Sequence, residues 1–203
     1  MRSLSEIETV SKRSSRAGGY SWGVSEEVGK NVRLLEMFGL PGIKNLNSFL
    51  KKKKDLNLES LSLITDKNIS STSQFCPIIA GTSFLDQIRT LNNLEEIKII
   101  NLSYPLLFLP FISRASEIIG KKIFLKIDNK EFLMNFNNSI FSNFSKNEII
   151  EFSENTHLKV LDNSDSFNES EWKELYKLSE ATFVKENDSL KHSGAGAGLT
   201  DND

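Results

Sequence analysis

The sequence predicts an α+β protein: an N-terminal three-helix lobe packed on a mostly antiparallel sheet with flanking helices. Three observations carry that prediction. Apolar residues recur at helical spacing through the first fifty positions. From about residue 95 the pattern turns to alternation, and two alternating runs are separated by a short polar turn. Helices therefore come first, followed by strands with helices among them.

Residues 3 to 16 form the first predicted helix. Ser3-x-x-Glu6 is a capping-box pattern, and Leu4, Ile7 and Val10 make an apolar stripe. Gly18-Gly19 ends it, because glycine enters positive φ without steric cost. A second helix runs from about 24 to 38, with Val28, Val32, Leu35 and Phe38 on its apolar side. Gly39 terminates it, and Pro41 opens a third as its first residue. That helix carries Ile43, Leu46, Phe49 and Leu50. It ends in Lys51 to Lys54, cations that complement the helix dipole.

Residues 55–75 are rich in Ser, Thr, Asn and Asp, with weak periodicity, and read as a partly ordered connector. A helix over 77–91 contains Phe84, Leu85 and Ile88. Residues 96–100 read as a strand. Residues 104–110 read either as a strand or as the start of a helix that continues over 111–119 and stops at Gly120. The runs 122–127 and 131–136 form a hairpin around Asp128-Asn129-Lys130. Residues 148–152 and 158–161 read as short strands. A last helix, capped near Asn168 or Ser170, carries Trp172, Leu175, Tyr176 and Leu178. No internal repeat is present. The expected organisation is one domain over 1–203: a helical lobe 1–54, a connector 55–75 and an α+β body 76–203.

Composition narrows the function classes. The chain has 203 residues, 38% hydrophobic and 26% charged, with a net charge of −2. That is ordinary for a folded domain, and no strong field of either sign exists to recruit nucleic acid or anionic membrane. Cys76 is the only cysteine, which excludes an intrachain disulfide and a cysteine-based zinc site. A reducing, cytoplasmic setting is expected. The longest apolar run, 106–112, contains Pro110 and falls far short of the ~20 residues of a membrane helix.

Two stretches carry unusual chemistry. The first is Arg16-Ala17-Gly18-Gly19-Tyr20-Ser21-Trp22-Gly23-Val24-Ser25-Glu26-Glu27. Its glycines allow close backbone approach to a ligand, and the start of the second helix presents free N–H groups. Arg16 is a candidate to fix a carboxylate, with Tyr20 and Ser21 as hydrogen-bonding groups and Trp22 beside them. Glu26 and Glu27 are candidates for general base or metal ligand. The plain alternative is a tight inter-helix turn with Tyr20 and Trp22 in the core.

The second stretch is the C-terminus, where Gly194, Gly196 and Gly198 alternate with alanines before Leu199-Thr200-Asp201-Asn202-Asp203. Asp201 and Asp203 supply hard oxygen donors suited to Mg²⁺ or Ca²⁺. The alternatives are a frayed tail or a small-residue strand threading a groove. His192, just before it, is a candidate general base or metal ligand. His157 reads as a surface residue beside a strand, and Cys76 as a buried thiol. Asp86 and Arg114 lie in amphipathic stretches, where they either pair or point into a cleft. No Ser-His-Asp order, HExxH, P-loop or GxGxxG pattern occurs.

Ser3-Leu4-Ser5-Glu6-Ile7-Glu8, then Ala17-Gly18-Gly19-Tyr20-Ser21-Trp22-Gly23 with Glu26-Glu27, resemble the opening of an uncharacterised bacterial family known only as a domain of unknown function. The final Gly194-Ala195-Gly196-Ala197-Gly198-Leu199-Thr200-Asp201-Asn202-Asp203 resembles that family's ending, and the stretch from Tyr104-Pro105-Leu106-Leu107 to Arg114 resembles its middle. The resemblance implies no established activity, but it implies that the tail has a role.

Two functions follow as expectations. One is a small-molecule enzyme or ligand-binding protein, with a site formed by the turn 16–27 and the tail 194–203; Arg114 is a further ligand-binding candidate. The other is a non-catalytic accessory subunit whose Gly-Ala tail docks into a partner enzyme or a neighbouring protomer. A nucleic-acid role is disfavoured because no basic stripe with interleaved aromatics occurs.

Overall fold

Capping serines set where the lobe's helices begin. In the computed structural model, which describes residues 2–70, 72–91, 93–145 and 148–183, α1 spans Leu4–Ala17, α2 Trp22–Met37 and α3 Gly42–Lys52. The Ser3 hydroxyl accepts the Glu6 amide at 3.1 Å, and the Ser21 hydroxyl accepts that of Val24 at 3.3 Å. Ser21 thus starts α2 two residues earlier than its apolar periodicity shows. Helices α1 and α2 approach closely because small residues line their seam. Ser11, Ser15, Ser25 and Gly29 are all buried. A Cβ on Gly29 would lie 2.8 Å from the Glu8 carbonyl oxygen.

The segment read as a connector contributes three short strands: β1 (Leu58–Glu59), β2 (Lys67–Ile69) and β3 (Gln74–Phe75). All three run parallel to their partners. Strands this brief bear no legible alternation; pairing with a longer neighbour defines them. The neighbour is β4 (Glu96–Ser103), which follows α4 (Pro77–Leu91).

After β4 the chain turns sharply at Tyr104, whose φ of 40° is left-handed although Pro105 follows. The Tyr104 hydroxyl lies 2.9 Å from Ser48 Oγ, and its ring meets Phe49 edge-on at 5.4 Å. These contacts hold the turn against α3. A 3₁₀ turn over Pro105–Leu107 leads into α5 (Leu109–Ile119), which resolves the ambiguous segment 104–110 as the start of a helix. Gly120, at φ 63°, closes α5.

The hairpin of β5 (Lys122–Ile127) and β6 (Lys130–Asn135) has a two-residue loop with Asp128 at φ 49°. β7 (Ser139–Ser142) pairs with β6, and β8 (Phe152–Leu161) is one ten-residue strand. The two short strands expected over 148–161 are therefore a single element; residues 148–150 are not strand. The strand order is β1-β3-β4-β8-β5-β6-β7, with β2 also on β4. The sheet is mixed, antiparallel through β4, β8, β5, β6 and β7, and the fold is α+β.

Ile97, Ile99, Ile123, Leu125, Ile127, Phe132, Met134 and Leu158 alternate inward and are at most 2% exposed. They join Phe84, Phe108 and Ile112 in the hydrophobic core. α4 and α5 are held close at Gly81, where a Cβ would meet Phe111 at 2.2 Å.

The chain divides into two compact units, Met1–Asn163 and Ser164–Asp203. All elements above belong to the first. In the second, α6 (Glu169–Ser179) is capped by Asn168, and Glu171 accepts a hydrogen bond from the Asn168 amide, completing a capping box. Within it the Phe167 ring stacks on Trp172 at 5.5 Å, and Tyr176 meets Phe183 edge-on at 6.4 Å. No helix among the described residues is long and apolar enough to cross a membrane.

Candidate functional site

The stretch 16–27 splits into two parts with different surroundings. Arg16 turns back on its own loop: Nη1 donates to the Tyr20 carbonyl at 2.8 Å, and the guanidinium lies 5.4 Å from the Trp22 ring. Lys12 approaches the same ring at 5.8 Å, while Trp22 is otherwise exposed. Gly18 sits against α3, where a Cβ would come 2.8 Å from Leu50 Cδ2, and its carbonyl accepts Lys53 Nζ at 2.7 Å. Gly19 supplies the φ of 94° that the turn requires.

Tyr20 is buried, with its hydroxyl 3.3 Å from Cys76 Sγ and Lys53 Nζ 3.8 Å from its ring centre. Burial, then the adjacent thiol, holds the Tyr20 phenol far above its ordinary pKa. Arg16, Gly18, Gly19, Tyr20 and Ser21 thus form the joint between α1, α2 and α3. Trp22 belongs in the core on one sequence reading, but the structure leaves it on the surface, because its ring is held by the cations of α1.

Glu26 and Glu27 face elsewhere. Together with Gly23 and Val24 they form one wall of an open cleft of about 510 Å³. Thr82, Leu85 and Asp86 of α4 and Arg114 of α5 form the rest. The structure therefore brings together Glu26, Glu27, Asp86 and Arg114 from the sequence candidates; of the two readings for Asp86 and Arg114, both line a cleft and they do not pair with each other.

Arg114 pairs with Glu27 Oε2 and donates from Nη1 to Asn31 Oδ1 at 3.2 Å. Lys30 Nζ donates to the other Glu27 oxygen at 2.8 Å. The Arg114 and Glu27 side chains are 23% and 25% exposed, so solvent screens their attraction only in part. Partial burial opposes ionisation of Glu27. The hydrogen bonds from Lys30 and Arg114 outweigh it and hold the carboxyl below its usual range. Glu26 is also held low, by its hydrogen bond from Lys12. Asp86 is exposed, and among the described residues its carboxylate has no hydrogen-bond or ionic partner. The Thr82 hydroxyl is committed to the carbonyls of Ile78 and Ile79.

Sequence reasoning passed over Asn31, Thr82 and Leu85 as site residues. For Asn31 a signal was present: a polar residue at the core spacing of Val28, Val32 and Leu35, now 2% exposed. His157 lies within β8, with Nε2 3.1 Å from Glu96 Oε2. His192, Gly194, Gly196, Gly198, Asp201 and Asp203 lie outside the described residues. Among the described residues no group of three or more His, Cys, Asp or Glu side chains is placed to hold a metal ion.

Residues 2–75 match the family model described as Protein of unknown function (DUF3726). The N-terminal part of the chain is therefore similar to a domain of unknown function. No curated protein and no solved structure matches the chain. The matched region contains Glu26 and Glu27, whereas Asp86 and Arg114 lie beyond it.

Proposed function

We propose that this protein binds a small amine-bearing molecule in the cleft between α2, α4 and α5. The carrying observation is the state of Arg114. The one guanidinium among the residues lining the cleft is already neutralised by Glu27 and held by Asn31. Glu26 is likewise paired with Lys12, so Asp86 is the one carboxylate lining the cleft without a cationic partner among the described residues, which favours a cationic ligand group. Val24 and Leu85 supply apolar surface for a short carbon chain. The volume falls within the roughly 300–1,000 Å³ of small-molecule sites. In this reading Asp86 receives the ammonium group, Glu27 is an anchored anion beside it, and Arg114 positions Glu27. Glu27 is held ionised, which suits charge recognition better than proton abstraction near neutral pH. The free, buried thiol of Cys76 supports a reducing, cytoplasmic setting.

The test is a thermal-shift series with small amines, carboxylates and phosphates, on the wild type and on Asp86→Asn. Binding to the folded state stabilises it by about 2.7 kcal/mol at a hundredfold excess over Kd. Amines are expected to raise the wild-type midpoint and to leave that of Asp86→Asn unmoved. A response to phosphates alone, or equal responses from both proteins, refutes the proposal.

A further inference from the structure

We propose that a small phosphate-bearing anion binds on the outer face of the sheet, in a hollow where His157 lies between Lys98 and Lys126. Strand alternation builds this hollow. Ile97, Ile99, Leu125, Ile127, Thr156 and Leu158 are buried on the inner face, so Lys98, Lys126 and His157, which alternate with them, point the other way. Register then sets the three side by side across β4, β8 and β5, with Lys98 opposite His157 and His157 opposite Lys126. Lys67 of β2 extends the row on the far side of Lys98. The row is invisible along the chain, because each member comes from a different strand.

Like charges opposite one another on neighbouring strands are destabilising, so stability alone would intersperse carboxylates in this row. The carboxylates present lie beside it or at its end. Glu96 Oε2 is shared, 3.8 Å from Lys98 Nζ and 3.1 Å from His157 Nε2. Glu131, 3.7 Å from Lys126 Nζ, closes the row on β6. Both lysine contacts exceed hydrogen-bond distance, so each ammonium keeps its donors for a ligand. The Lys98 and Lys126 side chains are about half exposed, which leaves both reachable.

The hollow has a volume of about 320 Å³, at the small end of ligand sites. Ile100 and Asn155 line it from the next row, and Asp128 from the β5–β6 turn. Asp128 is the one carboxylate on its rim. Its Oδ1 accepts the Asn155 backbone amide at 2.9 Å, and its charge directs an anion to the lysine end. Strands lie about 4.8 Å apart, so Lys98 and Lys126 stand roughly 10 Å apart at their bases, and their long side chains reach one group over His157 from both sides. A phosphate has enough oxygens to accept from both ammoniums and from the Asn155 side-chain amide. Glu96 and Glu131 bound the cationic stretch, and the chain's net charge is −2. That suits a small anion and not a nucleic-acid strand, which needs a continuous basic track.

The experiment is calorimetric titration of the full chain with pyrophosphate at low ionic strength. The wild type is expected to bind at a single site. Lys98→Gln combined with Lys126→Gln is expected to weaken binding by about tenfold or more. Lys122→Gln combined with Lys159→Gln removes the same charge from the same face, outside the hollow, and is expected to change binding by less than about threefold. Melting curves check that both variants fold. Asp86→Asn is expected to bind pyrophosphate as the wild type does, which separates this outcome from that of the amine cleft. A wild type that does not bind, equal losses from the two lysine pairs, or a short oligonucleotide that binds where pyrophosphate does not, overturns the proposal.

Discussion

Arg114 of α5 and Glu27 of α2 are 87 residues apart in sequence and form the ion pair that joins the two walls of the cleft. Removing Glu27 leaves Arg114 partly buried without its counter-charge, and removing Arg114 leaves Glu27 with Lys30 alone; either costs more than an exposed pair contributes. Arg114→Ala is expected to lower stability by about 1–3 kcal/mol. Glu27→Gln costs less, because its amide oxygen still accepts from Arg114 or Lys30. Urea denaturation of both single variants and the double variant checks this. A coupling energy of about 1 kcal/mol is expected, and strict additivity would show that the pair contributes nothing.

The same pair sets an acid dependence. Glu27 is held below its usual range in the folded protein, whereas in the unfolded chain it titrates near pH 4.3. A depressed folded value adds stability above the unfolded value, and that stability is lost as pH falls through the folded one. The stability difference between wild type and Glu27→Gln should therefore be constant near neutrality and shrink below about pH 4.3. A difference that widens in acid contradicts the assignment.

The helices were legible because each brought its own punctuation. Ser3, Gly39, Gly120 and Asn168 mark ends whose chemistry is local, and Asp128-Asn129 marks the hairpin in the same way. β1, β2, β3 and β7 were not legible, because two to four residues cannot display a period and their partners lie elsewhere in the chain. The position of β8 between β4 and β5 is a long-range pairing with no local sign. The site divides along the same line. Glu26, Glu27, Asp86 and Arg114 stood out individually as charges beside apolar stripes. That Glu27 rather than Asp86 pairs with Arg114 depends on how α2 crosses α5. Arg16 and Tyr20 drew notice as polar groups among glycines, but Tyr20 serves the core and Arg16 its own turn.

Glycine positions separate packing from propensity. Gly81 lies in α4, where alanine would normally be favoured by about 1 kcal/mol. The added methyl would overlap Phe111, which is 1% exposed and has no space to retreat. Gly81→Ala is expected to be destabilising by about 1–3 kcal/mol despite its better propensity. Gly23, in the first turn of α2, has nothing within 4 Å of the position a methyl would take. Gly23→Ala is expected to be neutral or to stabilise by up to about 1 kcal/mol. Thermal or chemical denaturation of the two variants side by side decides it. If Gly81→Ala is tolerated, the α4–α5 contact is looser than the geometry states.

Tyr20 gives the protein an alkaline limit. Its phenol is held far above the ordinary value by burial and by the Cys76 thiol, so the folded state keeps the proton that the unfolded chain releases near pH 10. A raised folded value contributes stability that is complete below the unfolded value and is lost as pH rises toward the folded one. The loss is about 1.4 kcal/mol per pH unit above pH 10. Tyr20→Phe removes this dependence. Near neutrality the variant also lacks the hydroxyl–thiol contact, a weak bond whose loss costs about 1 kcal/mol. The variant should therefore be slightly less stable than wild type at pH 7, and the gap should close or reverse above about pH 10. Denaturation midpoints at the two pH values measure the crossover. Absorbance at an alkaline-sensitive wavelength should show Tyr20 ionising only as the chain unfolds. Ionisation of Tyr20 in the intact fold would mean that the hydroxyl reaches solvent, contrary to its place between α1, α3 and Cys76.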